Sequence, residues 1–323
     1  MLGLYVDELA ALCQKHNLPR FRARQISEWV FQKYVGSFAE MTNLPAAQRE
    51  EFEKQYAITD SLVEKAVKTD DGTVKLLIKL GDGSLIETVL MEYRNWTTIC
   101  LSSQVGCAMG CAFCASGPLG VQRNLSHEEL VEQLWHCFHY SSVHNLKPLR
   151  NLVLMGIGEP LANYDNVLSL IKTANDPKFF GIGQRRITLS TAGIIPKIQR
   201  LAREQLGITL AVSLHAANDR LRSTLMPLNS RYPLKDLVAT CRNYTEITGR
   251  RVTYEYMVLD GINDSDADAR ELALLLRGEN CLINLIMYHK VPGTNFRPSP
   301  RIEQFRDKLT ERGLNVTIRR SLG

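Results

Sequence analysis

The chain lacks any apolar run long enough to cross a bilayer, which takes about 20 consecutive apolar residues. Its first residues, MLGLYVDELAALCQKHN, put Asp7 and Glu8 where a secretory signal would carry its apolar stretch. No internal repeat or low-complexity tract is present, so solenoid and disordered classes are excluded. Excess charge of one sign is also scarce: 39 Lys and Arg against 34 Asp and Glu leave a net charge of +5. That balance permits a nucleic-acid partner without requiring one. These absences lead us to expect a cytoplasmic monomer with no membrane contact. In a reducing compartment its eight cysteines serve as ligands, catalytic thiols or core residues rather than structural disulfides.

What is present is a concentration of three of those thiols in CAMGCAFC, at Cys107, Cys111 and Cys114. The spacing C-x3-C-x2-C supplies three ligands and leaves a fourth position open, where chemistry occurs. It suits a [4Fe–4S] cluster with one iron free of protein, or a zinc ion completed by Cys100, His127 or a distant histidine. Cys13, Cys137, Cys241 and Cys281 sit singly in apolar-patterned segments and read as small core residues.

With 323 residues and 45% hydrophobic content, the chain suits one large α/β domain with an appendage. Residues 1–60 read as a helical domain. In it Ile26, Trp29 and Val30 mark a core face, while Arg20, Arg22, Arg24 and Lys33 lie near Phe21 and Tyr34, a mixture that binds RNA or simply forms a solvated face. Residues 61–94 read as a hairpin linker, TVKLLIKL and SLIETVLM around Gly-Asp-Gly. Residues 95–323 alternate strand and helix, which predicts a parallel sheet closed into a partial (β/α)6 barrel. Ser126 with Glu129 forms a capping box at the start of the helix after the cysteines. In such a barrel the loops at the strand C-termini build the site. The cysteine loop, GIGEP, LSTAG, SLH and YHKVPG all fall there.

SSQVGCAMGCAFCASGPLGVQRNLS, LMGIGEPLANYDN, LSTAGIIP, SLHAANDRLRSTLMPLN and the late VTIRRS resemble the RlmN and Cfr family of radical S-adenosylmethionine RNA adenine methyltransferases, on the C2-modifying RlmN side. The resemblance implies that Cys107, Cys111 and Cys114 bind three irons of a [4Fe–4S] cluster, and that S-adenosylmethionine binds the fourth. It implies cofactor contacts at Gly158 and Glu159 (the amino group), Ser190, the trio Ser213, Leu214 and His215, and His289, where the family usually has asparagine. Glu87 becomes the base that takes the adenine C2 proton, and Cys100 the cysteine that resolves the protein–RNA adduct as a disulfide. Read alone, Glu87 is an exposed strand glutamate and Cys100 a buried thiol. The implied partners are 23S rRNA, tRNA and an electron donor such as flavodoxin or ferredoxin. The N-terminal basic residues Arg20, Arg22, Arg24 and Lys33, together with Lys65, Lys68 and the Arg185–Arg186 pair, are candidate phosphate contacts.

Adenine C2 is not nucleophilic, so the family's chemistry is radical: a methylated cysteine near the C-terminus gives up hydrogen to a 5′-deoxyadenosyl radical and adds to C2. The family's tail, with its Ala-Ala-Cys-Gly, has no counterpart here, where the sequence reads Ser321-Leu322-Gly323. The expectation is a truncated form, or a divergent paralogue, that binds cluster and cofactor but does not methylate RNA. A zinc-stapled RNA-binding module is the reading from another class.

Overall fold

The computed structural model describes residues 6–319; the last four residues, with Ser321, Leu322 and Gly323 among them, lie outside the described residues. Three helices come first: α1 (Val6–Lys15), α2 (Phe21–Phe31) and α3 (Ala46–Gln55). On α2 the buried residues Ala23, Ile26, Val30 and Phe31 recur at three- and four-residue steps, so one stripe faces inward. Trp29 is only partly buried and lies at its margin.

Then come β1 (Leu62–Lys68), β2 (Val74–Lys79) and β3 (Leu85–Glu92). The two strands expected of the hairpin are β2 and β3, paired antiparallel. The structure adds β1 before them and makes all three part of the main sheet, because β3 pairs antiparallel with β4 (Thr97–Cys100). The segment is therefore a sheet extension rather than a free linker. Strand β2 alternates buried Val74, Leu76 and Ile78 with more exposed neighbours, as a sheet with one covered face requires.

From β4 onward the strands run parallel. A small antiparallel pair, β5 (Gln104–Gly106) and β6 (Val121–Asn124), brackets the cysteine loop and leads into α4 (His127–His144). Next are β7 (Leu149–Leu154), α5 (Tyr164–Asn175), β8 (Ile187–Thr191), α6 (Ile195–Arg203) and β9 (Thr209–Ser213). They are followed by α7 (Asp219–Leu225), α8 (Leu234–Thr248), β10 (Val252–Val258), α9 (Asp266–Leu275), β11 (Cys281–Met287), α10 (Ile302–Thr310) and β12 (Val316–Arg319). The ten-stranded sheet has the order β1-β2-β3-β4-β7-β8-β9-β10-β11-β12. Its parallel part, β4 through β12, is the expected partial barrel. The curl is visible at Arg319 on the last strand, whose guanidinium reaches Met155 Sδ after β7 at 3.1 Å and Met91 Sδ on β3 at 4.0 Å. The capping box at α4 is present in both directions between Ser126 and Glu129. None of the described helices is long and apolar enough to cross a membrane.

Candidate active site

The cysteine loop runs between β5 and β6 at the C-terminal mouth of the parallel strands. It is pinned from two sides: the Cys107 amide donates to the Gly120 carbonyl at 2.7 Å, and the Ala112 amide to the Leu225 carbonyl of α7 at 2.9 Å. Phe113 turns inward and meets His215 edge-on, ring centres 4.7 Å apart. The three thiols face a cavity of about 260 Å³, lined also by Gly158, Glu159, Ser190, Ser213, His215, Glu255 and Arg319. Loop residues and strand ends spread from Cys107 to Arg319 are thus brought together.

The thiols are coupled. Burial pushes the Cys107 thiol up, and pushes Cys111 up to about 12, with the neighbouring sulfurs of Cys114 and Cys107 and the Glu159 carboxylate adding to the burial. Three sulfurs that repel one another as anions need a shared cation to become ligands. No set of three or more His, Cys, Asp or Glu among the described residues converges as a single metal ion requires. A four-iron cluster takes each thiolate on a different iron, so its ligands stand apart, and this donor set fits it. A zinc staple is not favoured: His127, one of its possible fourth ligands, faces Thr173 at 3.1 Å. All eight cysteines are free, and Cys13, Cys137, Cys241 and Cys281 are buried, as their apolar settings implied.

Gly158 sits at φ +104°, and a Cβ there would stand 2.7 Å from the Gln104 backbone nitrogen, so the position admits glycine and little else. That close approach lets Gln104 Oε1 accept the Glu159 amide at 2.9 Å. The Glu159 carboxylate, almost wholly buried, accepts the Leu161 amide at 2.9 Å and the Ala192 amide at 2.7 Å. It therefore ties the loop after β7 to the end of β8 while lining the cavity. Burial pushes its pKa up, and those amides oppose the shift.

His215 is buried at φ +58° and its Nδ1 accepts the Met257 amide at 2.9 Å. The proton is then on Nε2. Burial, helped by the nearby Arg222 charge, pushes this imidazole down to about 3, so it remains neutral. Leu214 is placed differently. Its side chain is in the core and does not line the cavity, so only its backbone, whose amide donates to the Glu255 carbonyl at 2.9 Å, is near the site. His289 is exposed on the loop after β11 and is absent from the cavity lining.

Glu87 and Cys100 meet through sheet register. Val89 pairs with Cys100, and Glu87 is two residues before Val89, so all three side chains share the inner face. Diagonal neighbours of this kind are roughly 7 Å apart. Glu87 is exposed and Cys100 half-buried. Burial pushes Cys100 up to about 11, against the opposing charge of Arg319 and the Met155 amide. The Glu87 carbonyl accepts the Ser102 hydroxyl at 2.6 Å, and that hydroxyl oxygen accepts the Ile157 amide at 3.0 Å. The strand of Glu87 is in this way tied to the Gly158–Glu159 loop.

Several expected phosphate contacts are otherwise engaged. Arg24 pairs with Glu28, Arg22 donates to the Asn43 carbonyl at 2.7 Å, and Lys33 lies 3.3 Å from the Trp29 ring centre. Arg185 and Arg186 precede β8, at the N-terminal end of the strands, and line a second cavity of about 470 Å³ on the far side of Met155, Glu255 and Arg319. A strand's two ends look alike in sequence; only the barrel shows that this pair is remote from the mouth. Sequence reasoning also passed over Gln104, Arg222, Glu255 and Arg319. Single polar residues of this kind carry no spacing signal.

A three-thiol loop at the mouth of a partial barrel, facing a buried carboxylate and a neutral imidazole, defines a radical S-adenosylmethionine enzyme, and the Radical SAM superfamily model matches residues 101–273. Such enzymes carry a [4Fe–4S] cluster and S-adenosylmethionine. A second model, the ribosomal RNA large subunit methyltransferase N-terminal domain, matches residues 1–58. The chain is 41% identical over 326 residues to the probable dual-specificity RNA methyltransferase RlmN of Clostridium novyi, covering 100% of this chain and 94% of that one. It is 46% identical over 308 residues to the corresponding protein of Pelotomaculum thermopropionicum, covering 94% of this chain and 83% of that one. The crystal structure of a radical SAM methyltransferase from Sphaerobacter thermophilus superposes with a TM-score of 0.94 at 45% identity, over 100% of this chain and 95% of that one. The chain belongs to the RlmN family of radical S-adenosylmethionine RNA methyltransferases.

Proposed function

We propose that this protein methylates C2 of an adenosine in 23S rRNA and in tRNA. The observation that carries the reading is the diagonal placement of Glu87 and Cys100 on one sheet face; neither lines the cavity of the three thiols, but Cys100 lies beside Met155 and Arg319, which do. Cluster and S-adenosylmethionine supply the radical that activates a carbon no sulfonium could methylate directly.

The residues of the chain then have separable tasks. Cys107, Cys111 and Cys114 hold three irons. Glu159, Ser190, Ser213 and His215 orient the cofactor: the buried carboxylate accepts from an ammonium, and His215 Nε2–H donates to an acceptor. The Leu214 backbone completes the proposed contact set, and His289, exposed and off the cavity lining, stays outside it. Glu87 accepts the C2 proton of an adenine inserted at the mouth. Cys100 would attack the sulfur that links protein to base: the S–S bond forms as the S–C bond breaks, the bonding pair goes to the methylene carbon, and a proton taken up there completes the methyl group of the departing adenine. Its resting thiol is neutral, so proton loss must accompany that attack. Reaching C2 requires the adenine to leave its stack, and the exposed Lys65 and Lys68 are free to serve as phosphate contacts in that complex. A flavodoxin or ferredoxin supplies the electron.

The test has two stages. Anaerobically reconstituted protein should be brown and should cleave S-adenosylmethionine with dithionite. The protein should then yield 2-methyladenosine from rRNA and tRNA, read by nucleoside mass spectrometry. Robust cleavage with 8-methyladenosine, or with no methylated adenosine, rejects the C2 assignment.

A further inference from the structure

Arg222, on α7, is fully buried and forms no ion pair among the described residues. Its donors go to neutral oxygens: Nε to the Leu214 carbonyl at 3.2 Å, Nη1 to Asn229 Oδ1 at 2.9 Å, and Nη2 to the Ala192 carbonyl at 2.8 Å and the Ser213 carbonyl at 2.9 Å. The carboxylate of Asp219 is engaged by the Asn229 amide at 2.9 Å and the Leu234 amide at 2.8 Å. A buried cation without a bonded anion is costly, and proteins seldom keep one unless something compensates it.

The compensation points toward the cysteine loop. Helix α7 carries Leu221 and Leu225, which pack in one cluster with Cys111, Cys114, Met109 and Phe113. The Leu225 carbonyl also anchors the Ala112 amide. The guanidinium itself is close: its Nη2 acceptors, the carbonyls of Ala192 and Ser213, belong to residues that line the same cavity as the three thiols. The cluster that these thiolates hold is a net anion and gains a further negative charge when it is reduced. A fixed positive charge in the same dry region favours the reduced form.

We propose that Arg222 is the countercharge of the iron–sulfur cluster: a positioning residue that raises the cluster's reduction potential while its donors hold the cofactor-binding ends of β8 and β9. It touches neither substrate nor reacting atoms. The four neutral acceptors explain its orientation, and the anionic cluster explains why its charge is kept. An uncharged residue with the same hydrogen bonds would support the strand ends equally well.

The experiment is an anaerobic titration with dithionite and mediators, one electron per cluster, followed by electron paramagnetic resonance. Arg222→Gln should make reduction at least tenfold less favourable, a midpoint about 59 mV more negative for a one-electron couple. Arg222→Lys, which keeps the charge but not the fork, should remain much closer to the unsubstituted protein. A Gln variant loaded with cluster at an unchanged midpoint overturns the proposal, as does an equal shift in both variants. Asn229→Asp combined with Asp219→Asn gives a second arm that leaves Arg222 in place and keeps an amide–carboxylate bond between the two side chains. It moves the carboxylate onto the Nη1 acceptor site, 2.9 Å away, and should also lower the midpoint. No shift in the cluster-loaded N229D/D219N protein refutes the countercharge role even if the Arg222 variants fail to fold.

Discussion

Acid should loosen the junction between the N-terminal helices and the barrel, through His136. This side chain on α4 is buried, and its Nε2 is 2.9 Å from Ser61 Oγ. The Ser61 hydroxyl gives its proton to Glu132, whose carboxylate also accepts the Asp60 and Ser61 amides at 2.8 and 2.9 Å. The hydroxyl oxygen is thus an acceptor for His136 Nε2–H, and the imidazole is neutral. Burial, with the charge of His139, pushes it from 6.5 down to about 4. The unfolded chain binds a proton on this histidine below about pH 6.5 and the folded chain does not until about pH 4, so stability is full at pH 7.5 and falls across that window. At pH 5 the loss from His136 is about 2 kcal/mol, from 1.5 pH units below the unfolded value at about 1.36 kcal/mol each. His215, pushed down to about 3, contributes a similar loss in cluster-free protein. Urea unfolding of cluster-free protein at pH 7.5 and pH 5, with and without His136→Gln, measures it. The glutamine amide can still donate to Ser61, so the variant should lose about 2 kcal/mol less between the two pH values. An identical decrement in both proteins refutes the neutral, buried assignment.

Gly158→Ala should abolish dithionite-driven cofactor cleavage and lower the stability of the barrel by about 1–3 kcal/mol, because a Cβ at φ +104° meets the Gln104 backbone; circular dichroism melts and 5′-deoxyadenosine yield check it. Ser126→Ala should cost about 1 kcal/mol in urea unfolding, since it removes the hydroxyl that accepts the Glu129 amide at the start of α4. Cys100 should be alkylated slowly at neutral pH and about tenfold faster per pH unit up to its pKa of about 11, as read by peptide mass spectrometry; a plateau near pH 8 contradicts its burial. Cys107→Ala should leave the reconstituted protein without cluster absorption, because two thiolates remain for three irons.

Much of this protein is legible along the chain. Strand and helix periodicities are local, so the alternation after residue 95, the capping box at Ser126 and the core face of α2 at Ile26 and Val30 can be seen without coordinates. The cysteine spacing is likewise local, since one loop carries all three ligands. Helix α7 escaped notice because it is a single short element inside a motif, and with it went Arg222. The hairpin looked like a linker because sequence periodicity identifies strands but does not say which neighbours they pair with.

By itself, then, the sequence determined most element types and the three-cysteine spacing of the loop, because each depends on residues a few positions apart. The tertiary structure decided everything that depends on convergence. It put Glu87 diagonal to Cys100 through antiparallel register, gave His215 its neutral state through burial and the Met257 amide, and sent Arg185 and Arg186 to the end of the barrel opposite the thiols. Those outcomes follow from which strand ends meet and how much water they exclude, and neither quantity exists until the sheet has curled.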